Sequence, residues 1–320
     1  MTSEKAAYIA FCEQHPNIPL FLQPWWLDAV TQPDGKKWEA FVARNNQGEI
    51  EAVFPFLYGS KLGLRYALTP QLTQYTGIWI LDKEGETTSA RLSREKKLQN
   101  DIIAQIDSLR LSFFDVRFPL SYQYWSPLYW AGYHQETHYT YRIENLSNIE
   151  QVYENLDYAK QKQIRKAQEA GITIDFTMTA DELYDLQCLQ LDKRGSKDVL
   201  SRALVQSVVT KSRACGQGLI ARAKDSEGNT HAAIFVVWDG NCAWELISAI
   251  HPKFRASGAS TLVVWETMRH LSQTINTWDF EGSMIEGVEN SFRQFGGKPV
   301  PYFTIQKTNK LIRIFEACKK

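Results

Sequence analysis

Leu98, Ile102, Ile103, Ile106 and Leu109 recur every three or four positions in an otherwise polar stretch. That is the spacing of one buried helix face, and it predicts a helix from about Ser93 to Leu109. On both sides of it the period shortens. Upstream, WEAFVARNNQGEIEAVFPFLY holds two apolar runs around the polar turn Arg44–Glu49, where Gly48 can take a positive φ, the pattern of a β-hairpin. GLRYALTPQLTQYTGIWI continues as a strand with an irregular tail over Thr69–Gly77. Downstream, Ser112–Phe118 reads as a strand, SYQYWSPLYWAGY as an aromatic-rich loop and Thr137–Ile143 as a further strand. Nearer the start, Ala6–Gln14 suits a short helix closed by Pro16 and Pro19, and Trp25 and Trp26 open another as core anchors.

The second half repeats this order. ARNNQGEIEAVF (Ala43–Phe54) matches AKDSEGNTHAAI (Ala223–Ile234) with Gly48 and Gly228 in register, and FDVR (Phe114–Arg117) matches WDFE (Trp278–Glu281). Gly132 and Gly296 follow Asp115 and Asp279 at one spacing, and a tyrosine in a closing strand, Tyr139 or Tyr302, comes after each. Two copies of one α/β unit are expected, roughly 1–146 and 147–320.

The richest stretch lies in the second copy. AWELISAI (Ala243–Ile250) is strand-like, HPKFRASGAS is a loop of small residues, TLVVWETMRHLSQ is helix-like, and TWDFEGS and NSFRQFGGKPVPYFTI supply strand, helix and strand. A strand that feeds a helix through small residues makes an anion site, because the first helical N–H groups have no intrahelical partner. The small residues Ala256, Ser257, Gly258, Ala259 and Ser260, which follow Arg255 in the loop, let a diphosphate approach the backbone closely.

Composition narrows the classes. The chain has 320 residues, 44% of them hydrophobic, which suits two domains with sizeable cores. Lys plus Arg, 36, equals Asp plus Glu, 36, so no global field draws in DNA or a membrane surface. No run of about 18 apolar residues predicts a membrane span. Five Cys without a CxxC pair point to reduced thiols rather than a disulfide framework or a zinc site. The start lacks a basic segment followed by a long apolar run, so a cytoplasmic protein is expected. His134 and His138 are close but lack a carboxylate at ligand spacing, so no metal is expected, and the absence of GxSxG argues against a serine triad.

The loop resembles the acyl-CoA site of the GNAT acyltransferase superfamily, V-x-P-x-x-R-G-x-G-x-G/A, read here as Ile250, Pro252, Arg255, Ser257, Gly258 and Ser260. The first copy has LTPQLTQYTG at the matching place, without the Arg-x-x-Gly spacing. Two GNAT-like copies in one chain resemble the Fem-type branch, the FemABX peptidyltransferases and methicillin-resistance-type proteins with their acetyltransferase-like relatives. LFLQPWWLDAV, TQYTG, KQIRKAQEAGI and DFEGS…FRQFGG carry that likeness. The resemblance implies a mixed α/β fold of two tandem GNAT-like domains, each a mixed sheet flanked by helices. It also implies acyl-CoA as co-substrate at the loop, and an amine acceptor between the domains with the first on the acceptor side.

Three basic positions of that branch differ here. Its phosphate-binding Lys after the first Trp falls at Val30, its Arg before KAxxxG falls at Lys162 with Arg165 and Lys166 close behind, and the Lys of its FKxxFG falls at Phe292 beside Arg293. Lys162, Arg165 and Lys166 equally suit a solvated helix face. Tyr75, Lys162, Arg165, Trp244 and Arg293 are the expected substrate-binding residues.

Acyl transfer to an amine needs a base, a donor to the oxyanion and an acid for the leaving group. Glu245, alone among apolar neighbours, and Glu281, with Asp279 on its face, are the candidate bases, and either could instead be a rim residue paired with Arg255 or Arg293. Tyr302 resembles the GNAT tyrosine that protonates the thiolate. Three functions stay open: a CoA-dependent N-acyltransferase, transfer of an amino acid from charged tRNA to a peptidoglycan precursor, and an inactive GNAT-like protein that binds a peptide or sugar.

Overall fold

A computed structural model describes residues 3–194, 200–282 and 284–309. The chain forms two compact units, one running to His138 and resuming at Pro301, the other Tyr139–Val300. It therefore changes unit twice, where a single change at 146/147 was expected. The second change has its cause in strand pairing, because Thr304–Thr308 hydrogen-bond antiparallel to Phe113–Arg117 of the first unit.

The first unit opens with α1 (Ser3–Gln14) and α2 (Pro24–Thr31), where Pro24 starts the helix and Trp26 is fully buried. Next come β1 (Lys37–Arg44), β2 (Ile50–Lys61), β3 (Leu64–Leu68) and the short β4 (Trp79–Ile80). Gly48 takes φ 86° in the β1–β2 turn, as the hairpin pattern requires. Helix α3 (Thr88–Ser108) buries Leu98, Ile102, Ile103 and Ile106. It starts five residues before Ser93 because Thr87 caps it, its hydroxyl accepting from the Ala90 N–H at 3.3 Å, and the first turns are solvated. β5 (Phe113–Arg117) and α4 (Ser126–Trp130) come after it, and β6 (His134–Ile143) leads out.

The second unit contains α5 (Ile149–Glu154), α6 (Tyr158–Glu169), β7 (Thr173–Asp175), α7 (Ala180–Arg194) and α8 (Arg202–Ala214). They are succeeded by β8 (Gly218–Lys224), β9 (Thr230–Trp238), β10 (Cys242–Ile250), α9 (Ala259–Leu271), β11 (Thr277–Asp279), α10 (Glu286–Gln294) and β12 (Lys298–Thr308). β12 begins in this unit and ends in the first.

The repeat is real at the level of topology. The first unit runs β1-β2-β3-β5-β12, an antiparallel meander whose third strand is joined through α3 to a parallel partner. The second runs β7-β8-β9-β10-β11-β6, with β8–β10 as the meander and α9 as the crossover to parallel β11. Helix α9 is the centre of the second core: Ala259, Leu262, Val263, Val264, Trp265, Met268 and Leu271 are all buried. Such an apolar helix needs cover on more than one side, and β8, β9 and α6 provide it.

Candidate active site

β10 and β11 are hydrogen-bonded for only three pairs, Cys242↔Thr277, Ala243↔Trp278 and Trp244↔Asp279. β11 then ends while β10 continues six residues to Ile250, so the two strands part after Trp244. At that point β10 is irregular on its other edge as well. Glu245 pairs with Val236 and Ile247 with Phe235, which leaves Leu246 as the extra residue of a β-bulge. A bulge bends a strand and re-aims the side chains beside it. Here it turns Glu245 into the opening.

The far side of the opening is built on strain. After β11 the chain enters two successive left-handed residues, Glu281 at φ 60° and Gly282 at φ 68°. Gly282 is required, since a Cβ there would stand 2.1 Å from the Tyr139 carbonyl oxygen. A glutamate at positive φ is uncommon and costs free energy that surrounding bonds must offset. The buried Asp279 supplies them: Oδ1 accepts from the Glu281 N–H at 2.8 Å and from the Thr140 hydroxyl at 2.5 Å, and Oδ2 lies 3.2 Å from Arg142 Nε. Asp279 thus holds the turn that presents Glu281.

Between these walls lies a cleft of about 450 Å³. Its polar lining includes Lys160, Gln190, Glu245, Ser248, Ser260, Thr261, Glu281 and Ser291, and Val264, Phe280, Phe292 and Phe295 line its apolar side. Glu245 is half-buried overall, but its Oε2 is buried with no hydrogen-bond partner among the described residues. Burial pushes its carboxyl up to about 7, with Lys160 and a bond to Ser248 pulling the other way. Lys160, in the first turn of α6, is 7% exposed. Its ammonium donates to Ser291 Oγ at 2.8 Å and sits 4.3 Å from the centre of the Phe295 ring. Burial pulls its pKa down to about 8, opposed by Glu245 and Asp157.

The loop before α9 is shaped by its neighbour as much as by any ligand. Gly258 is the N-cap of α9 at φ 84°, and a Cβ there would stand 2.3 Å from the carbonyl oxygen of Gln163 on α6. The position a side chain would take at Gly258 is therefore filled by α6 backbone. Thr261 Oγ1 donates to Gln163 Oε1 at 2.5 Å, and Lys166 Nζ donates to the Ala256 carbonyl at 2.6 Å. Ser257 Oγ accepts from the Ala259 N–H at 3.2 Å. Of the six expected loop residues, Ser260 lines the cleft, Gly258 and Ala259 are buried, and Arg255 and Ala256 are exposed.

Glu245, Glu281 and Ser260 come together at the cleft; the other expected residues do not. Trp244 is buried, since alternation along β10 sends it to the face opposite Glu245. Tyr75 packs edge-on against Phe21, centroids 5.3 Å apart, inside the first unit. Tyr302 lies in the β12 segment of the first unit with its ring 5.7 Å from His138. Arg293 is exposed and engages Glu289 at 3.5 Å and Asn290 at 2.8 Å along its own helix. Lys162 and Arg165 face solvent, because the inward stripe of α6 is Lys160, Ile164 and Ala167. The residues sequence reasoning missed are Lys160, Ser291 and Gln190, the last accepting the Ile250 N–H at 2.5 Å. Lys160 did carry a signal: it is a charge at i, i+4, i+7 spacing with two buried apolar residues.

Residues 158–282, which contain the parting strands and the loop, match the acetyltransferase (GNAT) domain family. No curated protein matches the chain. Among solved structures, FemX is similar over 95% of this chain and 96% of its own, with TM-score 0.70 and 12% identity. The C-terminal domain of a putative lysylphosphatidylglycerol synthetase from Agrobacterium fabrum is similar over 98% and 96%, with TM-score 0.61 and 11% identity. A tandem GNAT protein from the clavulanic acid biosynthesis pathway is similar over 94% and 92%, with TM-score 0.52 and 14% identity. At these identities the likeness speaks for the fold alone: mixed α/β, with tandem GNAT-like units. Among the described residues no helix is long and apolar enough to cross a membrane.

Proposed function

We propose that the protein is an N-acyltransferase whose reaction takes place where β10 and β11 part. The observation that carries this reading is Glu245, a buried carboxyl lifted to about 7 and aimed into a cleft within a GNAT-family domain. In this reading the donor carbonyl lies along the edge of β10 that the β11 ladder leaves after Trp244. The acceptor amine enters past Glu281, whose carboxylate favours an ammonium ion. Glu245 takes a proton from the nitrogen, the lone pair attacks the carbonyl carbon, and collapse of the tetrahedral intermediate expels the leaving group. A base with a pKa near the working pH suits that step, since it is deprotonated often enough yet still basic.

We favour an acyl-CoA donor, with Ser260 and Thr261 guiding the pantetheine side of the cleft and the exposed Arg255 facing the phosphates. The test is thermal stability in acetyl-CoA and free CoA: at 100 times the dissociation constant one site should add about 2.7 kcal/mol. An unchanged melting temperature at millimolar ligand would remove CoA as donor. One observation favours charged tRNA instead. Lys162, Arg165 and Arg255 stay exposed on the same unit. A tRNA donor would show itself as binding that weakens steeply with salt.

A further inference from the structure

The reaction proposed above needs a proton for the leaving group, and the tyrosine expected to give it, Tyr302, does not line the cleft. Lys160 does. Its ammonium enters from α6, is fixed by Ser291 Oγ at 2.8 Å and by the face of Phe295, and lines the same cleft as Glu245. A lysine taken almost wholly out of water costs desolvation free energy that a simple bridge from α6 to α10 would not need, because a neutral side chain could make it. We infer that Lys160 is the proton donor to the leaving sulfur or oxygen of the acyl donor, working opposite Glu245. This rests on the acyl-transfer reading above.

The steps balance. Glu245 receives the proton of the attacking amine as the nitrogen–carbon bond forms. The carbon–sulfur bond then breaks, its electron pair goes to sulfur, and Lys160 gives sulfur a proton. A proton passing from Glu245 to neutral Lys160, directly or through water, restores both groups without any further reagent. The charged groups that act on Lys160 are Glu245 on β10 and Asp157 at the start of α6, both carboxylates that favour the ammonium form, and Glu281 lines the same cleft. Desolvation nonetheless prevails and brings Lys160 down to about 8, within reach of proton transfer at neutral pH.

The test uses the full chain with acetyl-CoA as donor and hydroxylamine as a minimal amine. Lys160→Met should lower kcat by about 100-fold or more and erase the fall in rate above pH 8. With phenyl thioacetate, whose thiolate leaves without help, the same variant should come within roughly tenfold of the wild type. Added methylammonium should restore part of the acetyl-CoA rate. A variant equally impaired on both donors, or unimpaired on either, overturns the inference. Absence of wild-type turnover would count against the donor reading instead, and Lys160 is then judged by its own titration. After reductive ¹³C-methylation, its NMR signal, identified by its loss in Lys160→Met, should titrate near pH 8 and shift lower in Glu245→Gln. An ordinary lysine titration that ignores Glu245→Gln overturns the proposal.

Discussion

The two units place the same construction in two states. In each, a meander leads through a crossover helix to a parallel strand, and in each that strand pairs for three residues: Tyr66↔Phe113 to Leu68↔Asp115 in one, Cys242↔Thr277 to Trp244↔Asp279 in the other. Beyond the third pair they differ. In the first unit the irregular segment after β3 bridges the gap with hydrogen bonds, beside a hollow of about 330 Å³ lined by Leu68, Thr69, Asp115 and Arg117. The Thr69 N–H donates to the Asp115 carbonyl at 3.3 Å, the Arg117 N–H to Thr69 Oγ1 at 2.8 Å, and the Thr76 N–H to the Arg117 carbonyl at 3.0 Å. Arg117 also donates through its guanidinium to the Thr73 carbonyl at 2.6 Å. In the second unit the place corresponding to Arg117 holds Glu281, and the gap stays open with Glu245 on its opposite wall. A strand pair is only a frame; the residues beyond its third rung decide whether it becomes a site.

The open side depends most on its buried acid. Glu245→Gln keeps shape and removes the base, so kcat should fall by about 10² to 10⁴ while the cooperative melt is retained, read by acyl transfer and by calorimetry. Gly258→Ala comes next. It combines positive φ with a 2.3 Å contact on α6 backbone and should lower stability by about 2–4 kcal/mol, whereas Gly228→Ala, also at positive φ but with open space around it, should cost about 1 kcal/mol. Thermal melts of the two side by side check this. Arg117→Ala loosens only the bridged gap: stability should drop by about 1.5–3 kcal/mol while kcat per folded molecule is unchanged. The smallest effect sharpens the choice of donor. Lys162→Ala with Arg165→Ala should alter KM for acetyl-CoA by less than about twofold, since both face solvent, but should flatten the salt dependence of binding if the donor is tRNA.

Much of this was legible because apolar spacing reports burial. The hairpin at Gly48, α9 and the order of elements from β10 to β12 come from it, and the repeat from the matched segments Ala43–Phe54 and Ala223–Ile234. Glu245 stood out for the same reason, as a lone acid in an apolar strand. What spacing could not show was which partner imposes a residue. Gly258 reads as room for a ligand, yet the group that presses on it is the Gln163 carbonyl, nearly a hundred positions away. Lys162, Arg165 and Lys166 drew notice as a charged run. Lys160, two positions earlier, shares their chemistry, and only helical phase separates it from them. The helix α7 carries Gln190 on its buried side with Leu183 and Leu186, and apolar spacing does not mark a polar member of that side. The destination of Tyr302 depended on the pairing of β12 with β5, which no local pattern encodes.

If Glu245 is the base, the pH dependence of acyl transfer differs between the wild type and Glu245→Gln. A base acts deprotonated, so with a carboxyl held at about 7 the wild-type rate should rise as pH passes through 7. The same shift has a sign for stability. A carboxyl raised in the folded state favours folding below its unfolded value of about 4.3 and loses that contribution as pH climbs through 7, so Glu245→Gln should gain in relative melting temperature at high pH. A rising limb near pH 7 is expected in the wild type, and its disappearance, with the rate low throughout, in Glu245→Gln. A variant that keeps both the rate and the limb would contradict Glu245 as the base.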